Sequence, residues 1–144
     1  MDYFFYGTLQ DNEVLETVLG RPVPDSAKDI AELGGYIRVR GEDVTYPVVM
    51  PVPGGRVVGI LVTGIEPGEA DRLADFEGSG YDQRTVDVVG KRRGAVAARI
   101  FVPNLSVLGA SHEAWTLDDW RRRHKSRYLE DVRSWVKAWQ SAAT

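Results

Sequence analysis

The chain has 144 residues, 43% apolar and 27% charged, which suffices for one ordinary hydrophobic core and excludes wholesale disorder. Its 18 Lys and Arg against 21 Asp and Glu give a net charge of -3, with no general drive toward nucleic acid or acidic membrane. With no Cys and only two His, disulfides, thiolate zinc, iron–sulfur clusters, a Cys nucleophile and a His-rich metal centre are excluded.

Residues 3–6, Tyr-Phe-Phe-Tyr, read as a first strand ended by Gly7, with Thr8-Leu9-Gln10 as a turn. Asp11 or Asn12 then caps a helix near 11–19 that carries Val14, Leu15, Val18 and Leu19 on one face. Gly20 stops it, and Pro22 and Pro24 prevent its resumption. From 27 to 64 the pattern turns β, with candidate strands Ile30–Leu33, Tyr36–Arg40, Val44–Met50 and Arg56–Ile65. Gly34-Gly35, Gly41, Pro51-Val52-Pro53 and Gly54-Gly55 punctuate them, and Pro47 points to a sheet edge or a bulge. Pro67 opens a helix near 67–77 with Ala70, Leu73, Ala74 and Phe76 as its apolar positions. Arg84–Val89 and Gly94–Val102 form a hairpin across the basic turn Lys91-Arg92-Arg93, and residues 103–114 read as a loop.

The tail is helical over 116–140. Thr116-Leu117-Asp118-Asp119 resembles a capping box, and Tyr128, Leu129, Val132, Trp135, Val136 and Trp139 form an apolar stripe. Helical register through His124 allows a break between two helices around residues 122–125, and Arg121–Arg123 are expected in solvent. The element order predicts an α+β fold with a mixed, strongly curved sheet, as one domain over 1–144 whose helical extension, 115–141, packs on it. No apolar run reaches the roughly 20 residues of a membrane span. The start, Met1-Asp2-Tyr3, lacks a signal peptide's basic region, so a cytoplasmic location is expected.

Two segments carry candidate chemistry. In Tyr6-Gly7-Thr8-Leu9, a strand runs through Gly into a helical turn and presents free backbone N–H groups, which suit a carboxylate or an oxyanion. The same pattern also makes an ordinary strand-to-helix turn. In Asp75-Phe76-Glu77-Gly78-Ser79-Gly80-Tyr81, Glu77 ends an amphipathic helix beside an aromatic. A carboxylate in a partly apolar cleft has a raised pKa and exchanges protons near neutrality; the plain alternative is a surface Glu. Tyr81 offers a hydroxyl to a substrate, or sits half-buried on a strand. Ser79, Ser106, Ser111 and His112 are available nucleophile-and-base residues, without a Gly-x-Ser-x-Gly elbow. The run Arg121–Arg127 is flanked by Asp118, Asp119, Glu130 and Asp131, which favours a solvated helix face over a nucleic-acid surface.

Taken together, Tyr6-Gly7-Thr8-Leu9 after the first strand, Phe76-Glu77-Gly78 and Tyr81-x-x-Arg84 resemble the γ-glutamylcyclotransferase-like superfamily. Asp11–Arg21, Tyr46-Pro47, Val58–Leu61 and the tail Trp115–Tyr128, with its Arg123-His124-Lys125, resemble the plant avirulence-induced-gene-like branch and its bacterial relatives. The resemblance spans most of the chain. One departure is Ala74, where the family commonly reads Asp after Leu.

That resemblance implies a small mixed β-barrel with flanking helices and a small-molecule γ-glutamyl substrate, with no cofactor, metal, nucleic acid or membrane partner. It implies cyclisation of the γ-glutamyl group to 5-oxoproline with release of the amine. Glu77 would be the acid/base, and Tyr6, Gly7, Thr8 and Leu9, joined by Tyr81, would bind the substrate. Two competing readings are a non-catalytic module that binds a small amino-acid derivative in the same pocket, and an adaptor working through the basic C-terminal helix.

Overall fold

The computed structural model describes residues 1–105 and 109–143. The strands are β1 (Tyr3–Phe5), β2 (Lys28–Gly41), β3 (Pro47–Val62), β4 (Tyr81–Gly90), β5 (Gly94–Pro103) and β6 (Ala110–Ala114). The helices are α1 (Asn12–Leu19), α2 (Pro67–Glu77), α3 (Leu117–Arg123) and α4 (Lys125–Ala143). The sheet runs β3-β1-β5-β4-β2, and β2 pairs back onto β3, closing a five-stranded barrel with β6 on the outer edge of β2. β1 lies antiparallel to β3 and parallel to β5, so the sheet is mixed, as the sequence predicts.

Strand alternation divides the core in two. Phe4 and Tyr6 point into the barrel with Leu33, Val57, Leu61 and Ile100. Tyr3 and Phe5 face outward, onto a layer of helices contributing Val14, Leu15, Val18, Leu73, Trp120 and Val132. β1 is therefore buried on both sides, which its unbroken aromatic run allows.

Closure explains where the strand boundaries differ from expectation. The four predicted strands between 30 and 65 are two long ones, β2 and β3, paired from Lys28↔Val62 to Arg40↔Pro47. The register shifts between Gly34 and Tyr36, so Gly34-Gly35 and the opposite Pro51–Gly55 segment mark a bend inside a continuous ribbon rather than strand ends. Pro47 opens β3, a position where its missing N–H costs no interior ladder bond.

The 103–114 loop is also corrected, because Ala110–Ala114 pairs with β2. The tail divides at His124, and Thr116 Oγ1 accepts from the Asp119 N–H at 3.2 Å. Arg121–Arg123 are exposed, as expected, and Arg121 in addition donates from Nε to the buried Asp11 Oδ2 at 2.8 Å. Among the described residues no helix is long and apolar enough to cross a membrane.

Candidate active site

β1 delivers Tyr6 to the end of the barrel, where its buried hydroxyl donates to the Phe101 carbonyl at 2.6 Å. The chain then turns at Gly7, whose face packs on Pro47; a Cβ there would lie 3.1 Å from the proline Cγ. Thr8–Gln10 make one turn of 3-10 helix, and Asp11 ends that turn and caps α1 by accepting from the Val14 N–H. The N–H groups of Gly7, Thr8 and Leu9 make no hydrogen bond with another described residue. Behind the turn, Arg38 Nη1 donates to the Tyr6 carbonyl at 3.0 Å and to the Val58 carbonyl at 2.9 Å, fixing the strand end.

α2 approaches from the other side. Glu66 and Glu69 form a reciprocal capping box, Pro67 opens the helix, and Ala70 and Leu73 bury its inner face. Gly78 ends it with φ of 83°, a conformation that favours glycine, and the chain swings into β4. Glu77 is thereby the last helical residue, and among the described residues its carboxyl has no hydrogen bond or ion pair.

Between these elements lies a cavity of about 260 Å³. Tyr6–Leu9 form one wall, Phe76, Glu77 and Tyr81 another, and Tyr46-Pro47 a third. α4 closes it with Tyr128, Asp131, Val132 and Trp135. Glu77 keeps part of its surface open to the cavity, yet protein surrounds its carboxyl, and that burial pushes its pKa up to about 7. Burial also raises Tyr6, Tyr46, Tyr81 and Tyr128, and the Glu77 charge raises each further, so all four hydroxyls stay protonated and able to donate. Thr8 Oγ1 donates to the Tyr128 hydroxyl at 3.0 Å, leaving the tyrosine proton available to a ligand.

The six residues singled out from the sequence, Tyr6, Gly7, Thr8, Leu9, Glu77 and Tyr81, line this one cavity. The nucleophile candidates do not. Ser79 is exposed, and His112 is exposed on β6 beside Ser111, whose Oγ donates to the Arg40 carbonyl. Ser106 lies outside the described residues. Sequence reasoning missed Tyr46, Tyr128, Asp131 and Trp135 as cavity residues. The signals were a Tyr-Pro pair already singled out, and two polar groups, Tyr128 and Asp131, spaced i, i+3 along an otherwise apolar stripe.

The closed barrel with its flanking helices defines the class as γ-glutamyl cyclotransferase-like. The fold matches a solved gamma-glutamyl cyclotransferase with a TM-score of 0.55, at 15% identity, over 72% of this chain and 66% of that one. The chain belongs to the family described as gamma-glutamyl cyclotransferase, AIG2-like, whose model matches residues 3–122. AIG2-like protein C of Arabidopsis thaliana is 29% identical over 137 residues, 94% of this chain and 78% of the relative. A solution structure of another Arabidopsis thaliana protein aligns with a TM-score of 0.69 at 25% identity, covering 97% of this chain and 83% of that one.

Proposed function

We propose that the protein is a γ-glutamyl cyclotransferase that releases 5-oxoproline and a free amine from a small γ-glutamyl amine or peptide, with Glu77 as general acid/base. The observation that carries this reading is the Glu77 carboxyl, at a pKa of about 7 and without a partner among the described residues, in a cavity shared with the N–H groups of Gly7–Leu9, which likewise have none there. A structural carboxylate is normally hydrogen-bonded or ion-paired; one left bare and near neutrality is poised to move protons.

The reaction needs two proton transfers and one compact conformer. The Glu77 carboxylate takes a proton from the substrate's α-ammonium group. The freed nitrogen attacks the γ-carbonyl carbon of the same molecule, closing a five-membered lactam. The carboxylic acid then returns the proton to the departing nitrogen as its bond to that carbon breaks, and the ring nitrogen's second surplus proton follows the same route, so the lactam is left neutral and the amine leaves as its ammonium ion. Attack within one molecule reduces the protein's task to holding a near-attack geometry. The N–H groups of Gly7–Leu9 suit the α-carboxylate or the developing oxyanion, and the hydroxyls of Tyr81 and Tyr128 supply further donors.

The test is to incubate the protein with a panel of γ-glutamyl amines and quantify 5-oxoproline by mass spectrometry. Wild type is expected to release it, and Glu77→Gln to do so about 10²- to 10⁴-fold more slowly. Binding of the panel without any release would instead make the protein a binding module.

A further inference from the structure

Arg38 is a half-buried cation that forms no ion pair among the described residues, and burial pulls its pKa below the usual arginine range. Its position is fixed from two sides. β6 pairs with β2 at Val39↔Ala114, and the next residue, the buried Trp115, lies beside the guanidinium, whose carbon sits 5.5 Å from the ring centre. Trp115 is itself held by donating from Nε1 to the Thr45 carbonyl at 2.9 Å. On the other side, Arg38 Nη1 donates to the Tyr6 and Val58 carbonyls.

The Tyr6 carbonyl and the Gly7 N–H belong to one peptide group. That peptide is trans, so its N–H points away from Arg38. A cation on the oxygen polarises the amide, makes its N–H a stronger donor, and extends a positive potential to whatever the N–H holds. The cavity needs such a source, because no Lys, Arg or His of the described residues lines it. A carboxylate entering it meets N–H groups and hydroxyls but no cation in direct contact.

We infer that Arg38 is a positioning residue for the substrate's α-carboxylate, serving as its counter-charge through the Tyr6–Gly7 peptide without touching the substrate. The inference rests on the reading that the Gly7–Leu9 turn holds that carboxylate. It leaves Glu77 untouched, since burial alone sets the pKa of that carboxyl. A unit charge acting across one peptide in a partly buried site is expected to change carboxylate affinity by roughly 10-fold.

The matched pair 5-oxoproline and its neutral amide tests this by calorimetry, because the two differ by a charge and hardly in size. Wild type is expected to bind 5-oxoproline about 10-fold more tightly than the amide. Arg38→Gln, which keeps a donor but no charge, should abolish that preference by weakening 5-oxoproline alone, and Arg38→Lys, which keeps the charge, should restore it. A merely structural role would weaken both ligands alike. Equal binding of the two by wild type, binding of neither, or an equal loss of both in Arg38→Gln would overturn the inference; the first two need no variant to fold. A carboxylate preference that Arg38→Gln removes, in a protein that releases no 5-oxoproline from any γ-glutamyl amine, would uphold the role of Arg38 while overturning the cyclotransferase reading.

Discussion

Asp11 and Glu77 are both carboxylates at helix ends, in opposite electrostatic settings. Asp11 caps the start of α1, is 1% exposed, and accepts from the Val14 N–H at 3.2 Å, Arg121 at 2.8 Å and Lys125 at 3.0 Å. Burial alone would raise its pKa, but Arg121, Lys125 and the backbone N–H outweigh it and hold the carboxyl below the usual range. Glu77 closes α2, where the helix dipole offers a carboxylate nothing, and burial acts on it unopposed. The contrast separates a carboxylate that ties elements together from one held ready for chemistry. It also shows what α3 and α4 do for each, giving Asp11 its two cations and giving the Glu77 cavity a wall.

Deleting residues 116–144 removes both kinds of support and is expected to have the largest effect. It strips Trp120, Leu129 and Val132 from the core and leaves Asp11 buried without cations. The expected outcome is an aggregated or unfolded chain by size exclusion and circular dichroism; a soluble, folded product would show that the helices are accessory.

Glu77→Gln comes next. Besides the lost turnover, it should leave substrate affinity much less affected, because the turn at Gly7–Leu9 keeps its donors. It should also stabilise the fold at pH 8 by about 1–3 kcal/mol, since a carboxyl raised from 4.5 to about 7 is costly to bury once ionised. Asp11→Asn should have the opposite sign, destabilising by about 2–3 kcal/mol in urea unfolding, because it leaves Arg121 and Lys125 short of their counter-charge.

The pH dependence sharpens the same contrast. The folded pKa of Glu77 is raised, so its penalty is absent below about 4.5, grows as pH rises and is complete above about 7. The folded pKa of Asp11 is lowered, so its contribution is complete above 3.8 and is lost only as pH falls through the folded value. Between pH 5 and 8, the stability difference between wild type and Glu77→Gln should therefore change, while that for Asp11→Asn stays flat. Tyr128→Phe should have the smallest effect: about a 10-fold loss in kcat/KM, with stability altered by less than about 1 kcal/mol, since only the Thr8 contact is lost.

Local chemistry made α1 and α2 legible in the sequence, because Asp11, Gly20 and Pro67 sit at their ends and act within one turn. The long strands were harder to read. A tightly curved ribbon places Gly34-Gly35 and Pro51–Gly55 inside β2 and β3, where those residues ordinarily signal strand ends. β6, Ala-Ser-His-Glu-Ala, has no β-branched or large apolar residue, and only its pairing with β2 makes it a strand.

At the cavity, the turn and Glu77 were visible as two short motifs. Tyr46, Tyr128 and Asp131 reach it from β3's approach and from α4, and although the Tyr-Pro pair and the polar i, i+3 spacing mark them locally, their convergence on one cavity is a tertiary fact. The ion pair of the exposed Arg121 was illegible for the same reason, since its partner Asp11 lies 110 residues away.

The most direct test of Glu77 as a poised proton carrier is to titrate its side-chain carboxyl by carbon-13 NMR, with Glu77→Gln assigning the resonance. The account predicts a midpoint near pH 7, with Asp11 already ionised throughout that range. A Glu77 midpoint near 4.5, the value of an ordinary glutamate, would contradict it.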